Sequence, residues 1–136
     1  MLAPAKMAAL QAALESEPTV LLAYLFGSVA RGDDGPMSDT DVAVWTAEPL
    51  GLFEQGAMAD RLAKVFGSPV DLVDLRLAPP LLCREIVAEG VYLLIRDPEV
   101  RFDFEQEAIH RYEDTRPLRA QQQQIFKELV ARGRTV

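Results

Sequence analysis

Apolar positions along the chain alternate between two patterns. Residues 20–26 (Val-Leu-Leu-Ala-Tyr-Leu-Phe) form a nearly unbroken apolar run, as in a strand buried on both faces. Residues 39–45 start acidic and continue apolar, residues 70–75 mix Val and Leu with two aspartates, and residues 91–95 are again apolar. These are three further strands. Between them the spacing turns helical. Leu10 and Leu14 fall four apart in the alanine-rich stretch 4–16, where Pro4 is tolerated near a helix start and Glu17-Pro18 supplies the stop. Residues 52–66 carry apolar positions at helical spacing and end at Gly67. Pro79-Pro80 opens a helix through about Glu89, closed by Gly90. Asp97-Pro98 opens a long one to about Thr115, and a last one follows from Pro117. Strand and helix alternate and helices follow, so the pattern predicts an α+β (α/β-like) domain with four strands and a helical C-terminal tail.

At 136 residues the chain is the size of one ordinary domain, and no internal repeat or Gly/Ser linker divides it. Residues 1–98 read as the core and 99–136 as a helical extension packed on the core or on a partner. No apolar run approaches membrane-spanning length, and no secretory signal opens the chain, so a cytoplasmic protein is expected. The single cysteine, Cys83, excludes an internal disulfide and a thiolate zinc cluster. The single histidine, His110, leaves carboxylates, hydroxyls, arginines and backbone amides to carry any chemistry. Twenty-one acidic residues against fourteen basic ones give a net charge of −7, and residues 1–98 carry all of the imbalance, residues 99–136 being balanced. Binding to duplex nucleic acid requires a basic face, so that partner is not expected. A magnesium-bound nucleotide remains compatible, because the metal brings positive charge into an acidic site.

Two neighbouring features point to such a ligand. Gly27-Ser28 follows the first strand at once. If a helix starts there, its free backbone amides make a phosphate cradle, Gly27 permits close approach and the Ser28 hydroxyl adds a donor. After ten intervening residues come Asp39 and Asp41, two apart at a strand start. Alternation places both carboxylates on one face, about 6.5 to 7 Å apart at the backbone. Such a pair can converge on two magnesium ions spaced about 3.5 to 4 Å apart. Each feature alone also fits an ordinary turn or a solvated strand end. Arg31, three residues after Ser28, reaches the phosphates if the turn is helical, or else pairs with Asp33 or Asp34.

Gly27-Ser28, the ten-residue spacing and Asp39-Thr40-Asp41 resemble the signature of the DNA polymerase β-like nucleotidyltransferases. The short chain, Ala30-Arg31-Gly32 and Ser38 before the acids resemble its minimal (MNT) branch. The resemblance covers residues 15–98. It implies a palm-like mixed sheet of about four strands flanked by helices, with Gly27, Ser28 and Arg31 at a nucleoside triphosphate. It also implies two Mg²⁺ ions held by Asp39, Asp41 and a third carboxylate on a neighbouring strand. Asp71 is the matching position as the first acid entering that strand, while Asp74 has the opposite parity and points to the other face. The implied reaction transfers a nucleoside monophosphate, AMP from ATP, to a hydroxyl. Asp71 is then also the proton acceptor.

Minimal nucleotidyltransferases are often antitoxins of HEPN/MNT toxin–antitoxin modules. The resemblance therefore implies adenylylation of a tyrosine on a HEPN ribonuclease toxin. One rival is an antitoxin that neutralises its partner by binding alone. A second is a small-molecule nucleotidyltransferase of the antibiotic-modifying kind, for which the chain leaves little room. Trp45 shares strand parity with Asp39 and Asp41 and borders either a base pocket or the rim of the core. Cys83 reads as a small buried apolar residue and His110 as exposed. Leu118, Ile125, Phe126, Leu129 and Val130 give the last helix an apolar stripe for its own domain or for a homo- or hetero-oligomeric partner.

Overall fold

The computed structural model describes residues 2–32, 39–114 and 116–131. Asp33, Asp34 and Ser38 lie outside the described residues, as do the side chains of Leu118, Phe126 and Val130. In chain order the elements are α1 (Pro4–Glu15), β1 (Val20–Phe26), α2 (Gly27–Arg31), β2 (Thr40–Thr46) and α3 (Leu52–Phe66). There follow β3 (Val70–Asp74), α4 (Pro80–Glu89), β4 (Val91–Ile95), α5 (Pro98–Asp114) and α6 (Arg116–Ala131). The strand and helix pattern read from the sequence is thus realised, with boundaries shifted by a residue or two.

One mixed sheet in the order β3-β2-β1-β4 carries the domain. β1 runs antiparallel to both β2 and β4, while β2 and β3 are parallel. The two central strands are buried on both faces, which is why their sequences are nearly all apolar. α1 and α3 cover one face, where Leu10, Leu14, Met58 and Leu62 meet Ala23, Leu25, Val42, Val44 and Leu72. α4 and α5 cover the other, where Cys83, Ile86, Phe104 and Ala108 meet Leu22, Tyr24 and Ala43. A register irregularity between Val20 and Leu22 shifts the alternation by one. Val20 therefore joins Ala23 and Leu25 in the first core although its parity differs from theirs.

Local chemistry fixes the edges. Gly67 ends α3 with φ of 85°, its amide donating to the Ala63 carbonyl at 2.7 Å. Gln55 Nε2 donates to the Leu72 carbonyl at 2.8 Å and so covers part of the β3 edge. Arg96, just past β4, donates to the carbonyls of Glu15, Glu17, Pro18 and Val20 at 2.6 to 3.1 Å. It ties the α1–β1 turn to the end of β4. On the α5 side, Glu105 accepts hydrogen bonds from the hydroxyls of Tyr24 and Tyr92, and Arg101 donates to Glu105. No helix among the described residues is long and apolar enough to cross a membrane.

Candidate active site

The antiparallel and parallel pairings bring one end of three strands together. Phe26, the last residue of β1, is the register partner of Asp41, and Asp41 is the register partner of Asp71. Register partners on adjacent strands present side chains to the same face, and neighbouring strands lie about 4.8 Å apart. Asp41 and Asp71 therefore stand side by side on the face that carries α4 and α5.

Gly27 begins α2 directly after β1, with φ of 79°. A Cβ built there would fall on the Asp41 carboxylate. Only glycine meets both demands, the left-handed backbone and the close approach of the chain to Asp41. α2 is short; it ends at Gly32, whose φ is 82°. Arg31 in its last turn extends toward α4 and pairs with Glu89 at 3.7 Å, both side chains about half exposed. The structure thus gives Arg31 a carboxylate partner that was not anticipated; Asp33 and Asp34 lie outside the described residues.

Burial lifts the Asp41 carboxyl above the usual carboxylate range, and the charges of Asp71 and Asp39 lift it further. A side-chain hydrogen bond with Asp71 adds to this, while Arg31 acts in the opposite direction. Asp39 is exposed, one residue before β2, and reaches the pair through its charge. No three Asp, Glu, His or Cys side chains among the described residues are gathered closely enough to grip an ion as a group. The fold brings Asp41 and Asp71 together and leaves Asp39 beside them. Asp74, paired in register with Val44, is 4% exposed and accepts the Arg76 amide at 3.0 Å. It turns to the face opposite Asp71.

Residues 8–99 match the family described as polymerase beta, nucleotidyltransferase. The chain belongs to this nucleotidyltransferase family. It is 36% identical over 116 residues to the protein adenylyltransferase MntA of Shewanella oneidensis, covering 84% of this chain and 79% of that protein. A solved toxin–antitoxin structure with AMP-PNP superposes with a TM-score of 0.74 at 32% identity, over 91% of this chain and 98% of that one. A complex of the tri-AMPylated Shewanella oneidensis HEPN toxin with its MNT antitoxin gives 0.70 at 30% identity, over 93% and 97% of the two chains.

Within the nucleotidyltransferase frame, Cys83 and Trp45 take places that the sequence reading allowed, and one partner, Glu89, was not foreseen. Trp45 lies on the same face as Asp41 but four residues along β2, about 13 Å of strand away. It packs against Phe104 at 6.1 Å between ring centroids, and the Arg76 guanidinium lies 4.5 Å over its ring. Cys83 is buried and its Sγ donates to the Ala78 carbonyl at 3.5 Å. Glu89 escaped the sequence reading because nothing about a helix-ending glutamate announces a partner 58 positions earlier.

Proposed function

We propose that this protein transfers AMP from ATP to a tyrosine hydroxyl of a HEPN-type toxin and thereby acts as its antitoxin in the cytoplasm. The observation that carries the reading is the in-register Asp41–Asp71 pair, closed on one side by Gly27. Its relatives' AMP-PNP-bound and AMPylated complexes supply the nucleotide and the partner by similarity.

The donor set fits Mg²⁺. It offers only oxygens; burial first, and then repulsion from Asp71 and Asp39, hold Asp41 above its ordinary range, and a divalent cation relieves that repulsion. Asp39, Asp41 and Asp71 would hold two such ions, Asp39 turning in from its exposed position. When bound, Mg²⁺ offsets the triphosphate charge and acidifies the acceptor hydroxyl. The chain's own residues do the rest. The backbone at Gly27 and Ser28 holds the triphosphate, and Arg31 leaves Glu89 for the phosphates. Asp71 takes the acceptor proton as the tyrosine oxygen bonds to the α-phosphorus and the bond to pyrophosphate breaks. Catalysis here is positioning and charge stabilisation, so no histidine is needed.

Residues 1–98 would form the catalytic core. Among the described residues α6 packs chiefly on α5, and its residues 121–125 are exposed. We assign it to partner docking. The test is incubation of the purified toxin with this protein, ATP and Mg²⁺, followed by peptide mass mapping. AMP on a toxin tyrosine supports the reading. An unmodified toxin that stays bound would leave an antitoxin acting by binding alone.

A further inference from the structure

At the end of the sheet opposite Asp41 and Asp71, a half-open cavity of about 460 Å³ lies between the ends of β2 and β3 and helices α4 and α5. That volume is within the range of small-molecule sites. α4 runs from this cavity, which Cys83 lines, to the carboxylate end, where Glu89 meets Arg31. The two places are therefore distinct.

The lining joins two kinds of chemistry. Trp45 and Phe104 form an aromatic wall. Around it stand Arg76 and Arg111 with Asp103 and Glu107. The side chains of Asp103, Glu107 and Arg111 make no hydrogen bond or ion pair with one another or with other described residues, although Glu107 and Arg111 are one helical turn apart on α5. Arg76 is held over Trp45 and donates only a long 3.4 Å bond from Nη2 to the Ala47 carbonyl. Its Nη1 is buried with no acceptor among the described residues. A buried ionised donor left unpaired costs stability, and such a group calls for an acceptor.

We propose that this cavity is a second site, for a nucleoside monophosphate, separate from the carboxylate site. The base lies against Trp45 and Phe104, and the phosphate is taken by Arg76 and Arg111. Asp103 and Glu107 accept from the ribose hydroxyls. A bare phosphate leaves the aromatic wall unused, and an uncharged nucleoside leaves both arginines unpaired.

Trp45 is the only tryptophan of the chain and reports occupancy directly. The experiment titrates AMP, adenosine and inorganic phosphate into the Asp41→Asn, Asp71→Asn double variant, with indole excited beyond adenine absorption. The site predicts a saturable change in Trp45 emission with AMP, at the same midpoint as in the unaltered protein. Adenosine and phosphate should each bind about tenfold or more weakly. Arg111→Met should weaken AMP by a similar factor with an unchanged circular dichroism spectrum, and so should Arg76→Met if it folds. No saturable change with AMP would overturn the proposal. So would a response that disappears in the double variant, a response indifferent to Arg111→Met, or equal binding of either fragment.

Discussion

Asp41 on β2 and Asp71 on β3 are register partners in a parallel pair, and the charge of Asp71 helps hold the Asp41 carboxyl above its ordinary range after burial does so first. Two adjacent acids on one sheet face repel when both are ionised, so the fold carries a local electrostatic cost at this pair. The same pairing aims both carboxylates at whatever lies on that face.

Asp41→Asn separates these two consequences. Burial, then Asp71 and Asp39, raise the Asp41 carboxyl above its usual 3.8. Its contribution to stability is therefore fully present below that value and is lost as pH rises through the raised value. At neutral pH the variant should melt a few degrees higher than the unaltered protein, while transfer activity falls by about a hundredfold or more. Added Mg²⁺ should raise the melting temperature of the unaltered protein and leave that of the variant nearly unchanged. Thermal melts from pH 4 to 8, with and without Mg²⁺, read both effects. A variant that melts lower throughout would contradict the repulsion argument.

Gly27→Ala places a methyl group on the Asp41 carboxylate in a backbone conformation with φ of 79°. The cost is expected to be about 1–3 kcal/mol, read as a lower denaturation midpoint. Activity should fall further than stability, because Asp41 must move. Gly32→Ala is the control. Its φ is 82° but no atom lies within 4 Å of the added carbon, so it should cost stability with little loss of turnover.

Tyr24 gives an alkaline signature. Burial first, and then the charge and hydrogen bond of Glu105, push its phenol far above the ordinary 10.0. Its contribution to stability is whole below that ordinary value and is lost above it, where the unfolded chain ionises and the native one does not. Phenolate absorbance should show one of the chain's three tyrosines titrating only as the protein unfolds. Tyr24→Phe should remove that component and flatten the decline of stability above pH 10.

Ending the chain after Asp114 removes α6, whose packed neighbour is α5. The truncated protein should keep its melting temperature within a few degrees and keep ATP binding. Co-purification with the toxin should be lost. A truncated form that still pulls down the toxin would place docking elsewhere on the surface.

The sequence carried the elements well for a physical reason. β1 and β2 are buried on both faces, so their composition announces them, and Gly67 and Gly90 end α3 and α4 where the spacing stops. The parity argument that set Asp71 apart from Asp74 rests on pleat alternation and needs no tertiary contact; the register places the two on opposite faces. What stayed illegible depends on residues far apart in the chain. The strand order, the Arg96 bonds to carbonyls more than 70 positions earlier, and the stacking of Arg76 on Trp45 are products of the assembled sheet. No local pattern encodes them.

The most direct measurement is intact-mass spectrometry of the toxin after co-expression with this protein, and again with its Asp39→Asn, Asp41→Asn variant. The account predicts a toxin heavier by one or more AMP units with the unaltered protein and of unmodified mass with the variant. A toxin of unmodified mass in both, still bound to both, would contradict it.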